Sequence, residues 1–138
     1  MKTEYVIGFV FDHKKERVVL ITKNRPAWQA GLKNGVGGHI EENESPHEAI
    51  QREFAEEATR YISKSLWEKF HVMEFEKARV HCFRFFLGEE DTNFTGIISN
   101  EEEPISVNWI SQLDYTKTIP NLEWLIPMAL DPEPMGIR

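Results

Sequence analysis

The pattern of apolar and polar positions along this chain predicts a mixture of β-strands and helices. Five stretches have the pattern of strands, at residues 4–11, 17–22, 67–76, 79–87 and 105–110. A turn at residues 12–15 makes a hairpin of the first two, and a closing helix is predicted at residues 122–130. Strands and helices do not alternate regularly, so this pattern indicates an α/β or α+β sandwich.

A further helix is predicted to begin at Ser45. Serine suits the N-cap, Pro46 suits the first helical position, and Glu48 lies three residues after the cap, as in a capping box. The apolar residues that follow recur at helical spacing and comprise Ala49, Ile50, Phe54 and Ala58. The sequence therefore predicts an amphipathic helix with one apolar face.

The remaining segments are predicted to be loops. Residues 23–35 are rich in polar and turn residues, and residues 88–103 are polar and expected to be exposed. The chain shows no repeat or linker, so a single domain is expected over residues 1–130. The tail at residues 131–138 contains two prolines and has little reason to be ordered.

Composition excludes several classes of protein. The net charge of −7 argues against a nucleic-acid polymer as partner, because such a partner requires a basic face. Cys82 is the single cysteine, so no intrachain disulfide can form, and its strand setting predicts a buried thiol. The apolar run at residues 5–11 is too short for a membrane span or a signal peptide. A cytoplasmic protein is expected, as a monomer or a homodimer.

Three glutamates on the predicted helix are candidates for metal binding. Glu53, Glu56 and Glu57 are spaced so that they share one helix face. Crowded carboxylates repel one another and raise each other's pKa, and a bound cation reverses this repulsion. Carboxylate oxygens suit Mg²⁺, which also keeps waters and substrate phosphates as ligands. A solvated acidic helix face is the alternative interpretation.

Arg52 lies one turn before Glu56, where it can hold carboxylates that do not bind metal, Glu44 among them. An ordinary surface ion pair is the alternative for this arginine. With Gly38, these residues resemble the Nudix box, whose pattern is G-x5-E-x7-R-E-U-x-E-E-x-G-U, where U is aliphatic. The matching positions are Gly38, Glu44, Arg52, Glu53, Glu56 and Glu57.

The chain departs from the Nudix pattern at three positions. Phe54 fills the first aliphatic position, Thr59 replaces the last glycine and Arg60 replaces the final aliphatic residue. Glycine is favoured at a helix end because it accepts a left-handed backbone, which threonine does not readily adopt. The helix is therefore expected either to continue into Tyr61 and Ile62 or to turn differently.

Two further segments resemble the Nudix subgroup that hydrolyses oxidised purine nucleoside triphosphates. They are residues 34–38, Asn-Gly-Val-Gly-Gly, and residues 120–127, which begin Pro-Asn-Leu-Glu. The resemblance implies that Asn34 and Asn121 hydrogen-bond the base. A turn residue at Asn34 and a helix cap at Asn121 are the alternatives.

Other residues are weaker candidates for the site. Lys23 and Arg25 lie in a loop that can reach phosphates, although long basic side chains in loops are usually solvated. Trp28 can stack on a base or anchor the same loop. The run Glu101, Glu102 and Glu103 comes from a region where the family can supply a general base or an extra metal ligand, and a solvated loop is the alternative.

The resemblance implies a mixed sheet between helices and a pyrophosphohydrolase that uses Mg²⁺, or Mn²⁺ in its place. The Gly38 carbonyl would be a fourth ligand beside the three glutamates. The favoured substrate is an oxidised or non-standard purine nucleoside triphosphate, cleaved to the monophosphate and pyrophosphate. Two alternatives stay open. One is another nucleoside diphosphate derivative, such as ADP-ribose or a dinucleotide polyphosphate, and the other is a nucleotide-sensing module with weak catalysis.

Overall fold

The computed structural model describes residues 1–99 and 102–133. The described part contains a mixed sheet and two α-helices. The strands are β1 (Thr3–Phe11), β2 (Arg17–Thr22), β3 (Lys33–Asn34), β4 (Val36–His39), β5 (Glu68–Glu74), β6 (Ala78–Phe86) and β7 (Ile105–Trp109). The helices are α1 (Pro46–Ala58) and α2 (Leu122–Leu130). All five predicted strands and both predicted helices are present, with boundaries within two residues of those expected.

The sheet is organised around β1. Along its full length β1 pairs in parallel with β6, from Thr3 opposite Ala78 to Phe11 opposite Phe86. Strand β6 pairs in turn with β5, and β2 pairs with the edge strand β7. The β1–β2 hairpin is joined at Phe11 and Val18, beyond which β3 pairs with β2 and β4 pairs with β1. The glycine-rich segment β4 is thereby fixed beside the centre of the sheet.

The two helices cover opposite faces of this sheet, as the resemblance implied. Strand alternation decides the faces: Val6 and Val10 of β1 join the core under α1, whereas Ile7, Phe9 and Phe11 join the core under α2. Each helix buries four residues, which are Ala49, Ile50, Phe54 and Ala58 in α1, and Leu122, Leu125, Ile126 and Ala129 in α2. Neither of these helices has the length and apolarity that a membrane span requires, as judged on the described residues.

Strands β3 and β4 were not predicted, and the expectation of a continuous loop over residues 23–35 is wrong at its C-terminal end. The segment from Lys33 to His39 contains three glycines, a residue type with low strand propensity. Pairing with β1 and β2 extends it nevertheless. At Gly37 this pairing brings the backbone so close to Val6 that a side chain would overlap the Val6 carbonyl. Tertiary pairing therefore overrides local preference here.

Residues 88–99 are also less exposed than expected. Phe94 is only 4% exposed and belongs to the core under α1. The Arg17 guanidinium lies 5.1 Å from the centre of its ring. Phe94 thus anchors this polar segment to the domain, because burying its ring removes a large apolar surface from water.

Candidate metal and nucleotide site

The start of α1 is set by a capping box. The backbone N–H of Glu48 donates to Ser45 Oγ at 3.1 Å, and the backbone N–H of Ser45 donates to Glu48 Oε1 at 2.9 Å. Pro46 occupies the first helical position, as predicted. This cap fixes where the helix begins, and therefore which side chains of α1 face β4.

Arg52 is the hub of the polar face of α1. Its guanidinium donates to both oxygens of Glu44, at 2.7 Å and 2.9 Å, and to the carbonyl of His39 at 2.9 Å. Its Nη1 also donates to Glu53 Oε1 at 2.8 Å and to Glu56 Oε2 at 3.3 Å. The hydrogen bonds from Arg52 hold the pKa of Glu44 below its ordinary value. Arg52 therefore ties α1 to the loop that follows β4, and Glu44 is its main partner.

Glu53 lies against Gly38. A Cβ atom added at Gly38 would meet the Glu53 carboxyl group at 2.7 Å, so the absence of a side chain on Gly38 makes room for this carboxylate. Burial raises the pKa of Glu53 above its ordinary value, and the charges of Glu56 and Glu57 raise it further against the lowering effect of Arg52. A carboxylate held in so unfavourable an electrostatic setting gains from a nearby cation.

Glu56 and Glu57 complete the acidic face of α1. The side chain of Glu56 is 56% exposed, and Glu57 is partly buried. The described residues contain no group of three or more His, Cys, Asp or Glu side chains already gathered into a metal cage. Glu53 and Glu56 instead point to Arg52. The predicted ligands thus share a helix face with Gly38 nearby, and their role as ligands remains a prediction.

The altered end of the box has a defined structure. Helix α1 ends at Ala58, and Thr59 adopts a left-handed backbone with φ of 71°. The helix does not continue into Tyr61 and Ile62. Residues 88–99 explain why, since Ile98 N–H donates to the Ala58 carbonyl at 3.0 Å and Thr59 Oγ1 donates to the Ile98 carbonyl at 3.3 Å. Contacts with a distant segment therefore hold threonine in a conformation that it disfavours by itself.

Arg60 contacts the same segment, residues 88–99. Its Nη1 donates to Asp91 Oδ2 at 2.6 Å and to the Thr95 carbonyl at 2.9 Å. Asp91 Oδ1 in turn accepts the Thr95 N–H at 3.1 Å. The two departures at the end of the box therefore fasten residues 88–99 to the end of α1, next to the turn that carries Glu56 and Glu57.

Thr59→Gly tests the left-handed helix end. Glycine and alanine at this position both lose the threonine hydroxyl and its hydrogen bond. Glycine alone removes a backbone cost of about 1–2 kcal/mol, which is larger than the cost of about 0.4–1 kcal/mol from the greater entropy of glycine in the unfolded chain. We expect Thr59→Gly to be more stable than Thr59→Ala, which loses the hydroxyl but keeps the strain. Activity should stay within a few-fold in both. Thermal melting compares the two variants. A lower melting temperature for Thr59→Gly than for Thr59→Ala would contradict a left-handed residue at this position.

A cleft of about 760 Å³ opens beside β4. Arg25, Asn34, Gly38 and Asn121, all predicted site residues, line it. The remaining walls are largely apolar and comprise Tyr5, Val6, Ile7, Pro26, Trp28, Gln29, Gly35, Gly37, His39, Met73, Phe75, Ala78, Val80 and Ile119. A concave, mostly apolar cavity with a few polar groups is the usual form of a small-molecule site.

The two asparagines differ in their present hydrogen bonds. Asn34 Oδ1 accepts the backbone N–H of Gly35 at 2.8 Å, which supports a local turn role for that oxygen. Asn121 precedes α2 but makes no side-chain cap hydrogen bond, so the helix-cap alternative is not supported. Its Nδ2 lies 3.2 Å from Met73 Sδ, a weak acceptor in the cleft wall.

Lys23 and Glu103 face each other rather than the cleft. Lys23 Nζ lies 3.3 Å from Glu103 Oε1, and Lys23 is not among the residues that line the cleft. Glu101 lies outside the described residues, and Glu102, which is described, does not line the cleft either. Cys82 is buried as predicted, and burial raises the pKa of its thiol to about 12, so it is no nucleophile.

The sequence did not indicate the part of the cleft wall formed by Met73, Phe75 and Val80. These residues lie in and beside the β5–β6 hairpin, and Phe75 is 48% exposed. In the sequence they look like ordinary strand residues. The available signal in the sequence was Phe75 itself, an aromatic residue near the end of the predicted strand, and such residues are common on protein surfaces.

Comparison with known proteins identifies the family. The model of the NUDIX domain matches residues 1–128. The chain belongs to the Nudix family. This confirms the resemblance seen in the box and the predicted mixed fold, and it agrees with the prediction of a Nudix-type hydrolase. The comparison with curated proteins gives no match.

Solved Nudix structures share the fold at low sequence identity. A structure of MutT, from work on the Aliivibrio salmonicida and Vibrio cholerae proteins, is 18% identical over 94% of both chains with a TM-score of 0.71. A MutT/nudix family protein of Enterococcus faecalis is 20% identical over 79% of this chain, with a TM-score of 0.65. The present chain spans only 43% of that protein's length.

A third structure is a bifunctional NMN adenylyltransferase/ADP ribose pyrophosphatase of Francisella tularensis, complexed with AMP and a manganese ion. It is 16% identical over 94% of this chain and 41% of its own, with a TM-score of 0.74. These similarities establish a common fold. The substrate of the present chain is inferred from its site.

Proposed function

We propose that this protein is a divalent-metal-dependent Nudix pyrophosphohydrolase that cleaves a nucleoside triphosphate to the monophosphate and pyrophosphate. Family membership supports hydrolysis of a small nucleotide substrate, and the manganese ion of the Francisella tularensis relative supports a divalent cation. Mg²⁺ is the proposed physiological ion because the candidate ligands are carboxylate and carbonyl oxygens.

The observation that carries the proposal is the position of Gly38. Its α-carbon lies against the Glu53 carboxylate, and the same residue lines the cleft with Asn34 and Asn121. One backbone position therefore joins the acidic face of α1 to the apolar cavity. A nucleotide with its base in the cavity would have its phosphates directed to the acidic face, where a cation is needed to offset the charges.

The acidic face fits such a cation. Glu53, Glu56 and Glu57 would hold it with the Gly38 carbonyl, while Arg52 keeps Glu44 and the loop after β4 in place. When bound, the ion supplies positive charge for the leaving phosphate oxygens and lowers the pKa of the attacking water. Water attacks a phosphorus of the triphosphate, the bridging P–O bond between the α- and β-phosphates breaks, and the proton of the water passes to a general base. That base is one of the three α1 glutamates, or Glu101 or Glu102. Glu103, the third member of that run, is paired with Lys23.

The proposed substrate is an oxidised or otherwise non-standard purine nucleoside triphosphate. Asn34 and Asn121 line the same cavity and carry amide groups that offer both donors and acceptors, which suits the mixed pattern on a purine edge. The Asn121 Nδ2 lies against a thioether sulfur, and an acceptor atom on a base would be a stronger partner.

A substrate panel with Mg²⁺ tests this function. Purified protein should release pyrophosphate, not orthophosphate, from at least one purine nucleoside triphosphate, and should be inactive in the presence of a chelator. The panel includes ADP-ribose and a dinucleotide polyphosphate, since preferential cleavage of either would replace the proposed substrate class. Absence of turnover with every substrate would favour the sensing module.

Asn34→Ala and Asn121→Ala test the choice of base. Each should lower kcat/KM for the preferred purine, with a loss of transition-state stabilisation of about 1–3 kcal/mol, the scale for an unpaired polar group. Each should also reduce the differences in kcat/KM among the bases. Dependence on Mg²⁺ should not change. Asn93→Ala, an exposed asparagine outside the cleft, is the matched control. The asparagines would be structural residues if both variants kept the ranking of the wild type.

A further inference from the structure

Glu103 makes a set of contacts that neither a general base nor a metal ligand requires. Its Oε2 accepts the backbone N–H groups of Asn24 at 2.7 Å and Arg25 at 3.4 Å. Its Oε1 lies 3.3 Å from Lys23 Nζ, and the side chain is only 13% exposed. A carboxylate that accepts backbone N–H groups and an ammonium forms charge-assisted hydrogen bonds, which are stronger than neutral ones.

The residue is itself held firmly by the sheet. Pro104, the next residue, accepts the Thr22 N–H through its carbonyl at 2.9 Å, and β7 begins at Ile105 in register with Ile21 of β2. Burial raises the pKa of Glu103, but the hydrogen bond from Asn24 and the charge of Lys23 outweigh this and keep the pKa below its ordinary value. Glu103 thus offers a fixed negative charge at the sheet edge.

The loop that Glu103 contacts forms one wall of the cleft. The loop is closed at its base, because Lys23 N–H donates to the Leu32 carbonyl and Gly31 N–H donates to the Lys23 carbonyl, both at 2.8 Å. Between these points Arg25, Trp28 and neighbouring residues line the cleft. None of residues 24–31 is buried, and Trp28 is 66% exposed. The loop therefore has no hydrophobic anchor of its own.

We propose that Glu103 is a positioning residue for nucleotide recognition, which fixes the loop at residues 23–31 so that Arg25 and Trp28 stand at the wall of the cleft. Glu103 acts through the backbone of Asn24 and Arg25 and touches neither base nor phosphate. This assignment rests on the proposed function of the cleft. It removes Glu103 from the candidates for general base or metal ligand and leaves Glu101 and Glu102. Lys23 contributes to the same contact through its ammonium group.

Two variants distinguish this role from a catalytic one. Glu103→Ala removes the acceptor, whereas Glu103→Gln keeps a carbonyl oxygen for the Asn24 N–H and loses the charge that faces Lys23. In nucleotide-free protein, amide hydrogen exchange at residues 23–31 should become about tenfold faster or more in Glu103→Ala, the scale of one lost hydrogen bond. The increase in Glu103→Gln should be smaller. Glu89→Ala, an exposed glutamate in residues 88–99, serves as control and should leave exchange in this loop unchanged.

Kinetics complete the test. KM for the preferred nucleotide should rise about tenfold in Glu103→Ala and less in Glu103→Gln, with kcat within about threefold of the wild type. A fall in kcat of about a hundredfold in both variants, with KM unchanged, would show a base or metal ligand and overturn the proposal. Unchanged exchange in Glu103→Ala would overturn it as well. Because exchange is measured without substrate, this result stands even if the wild type hydrolyses none of the nucleotides offered.

Discussion

Glu57→Gln should lower turnover of the preferred nucleoside triphosphate by roughly a hundredfold or more, the scale for removing a group that stabilises charge in the reaction. Glutamine keeps the size of the side chain and removes one negative charge from the proposed ligand set of Glu53, Glu56 and Glu57. The fold should be retained, because the residue is partly exposed on the surface of α1. Steady-state kinetics across a range of Mg²⁺ concentrations measure the effect, and thermal melting checks the fold.

A second measurement separates metal binding from catalysis. Mn²⁺ binding to nucleotide-free protein, followed by electron paramagnetic resonance, should weaken in Glu57→Gln. Glu42→Gln, an exposed glutamate within the box but outside the proposed ligand set, is the matched control and should behave as the wild type in both measurements. Near-normal turnover and metal affinity in Glu57→Gln would rule out this residue as a ligand.

Gly37→Ala should abolish the folded state or destabilise it by about 3 kcal/mol or more. A Cβ atom at this position would overlap the carbonyl oxygen of Val6 and crowd the α-carbon of Ile7. These are backbone atoms of β1, the strand that organises the sheet, so relief requires β4 to leave its partner. For a domain whose whole stability is about 5–15 kcal/mol, such a cost is severe.

Gly38→Ala is the informative comparison with Gly37→Ala. The three atoms nearest to a Cβ atom at Gly38 would all belong to the Glu53 carboxyl group, at 2.7–2.8 Å, and the end of a flexible side chain can move. This variant should therefore fold and melt close to the wild type, while displacing Glu53 and lowering both metal affinity and turnover. Melting followed by circular dichroism measures the stability of both variants, and steady-state kinetics measure their turnover. Equal stability of the two would show that β4 does not pair with β1 as described.

The sequence alone predicted the elements whose signals are local. The capping box at Ser45, the apolar stripe of α1 and the strand patterns depend on neighbouring residues, and all of them are present in the fold. The spacing of the glutamates on α1 and the matches to the Nudix box are equally local. For this reason the family, the helix that carries the candidate ligands and most strand boundaries could be predicted from the order of residues along the chain.

The sequence was weakest where contacts between distant segments overrule local preference. The left-handed Thr59 is held by Ile98, the polar segment at residues 88–99 is fixed by Phe94, and the glycine-rich β4 is extended by its pairing with β1. In each case the local signal predicted a different conformation. Each partner is far away along the chain, so the favourable contact exists only after the chain has folded.

The sequence by itself determined the candidate residues of the acidic helix face and the family, and the resemblance to that family implied a sheet between helices. Only the tertiary structure decided that Arg25, Asn34, Gly38 and Asn121 line one cleft, and that Glu103 faces the loop at residues 23–31. The physical reason is that periodicity and capping are properties of neighbouring residues. A cleft and its anchoring contacts arise from side chains and backbone groups that strand pairing and helix packing bring together from separate parts of the chain.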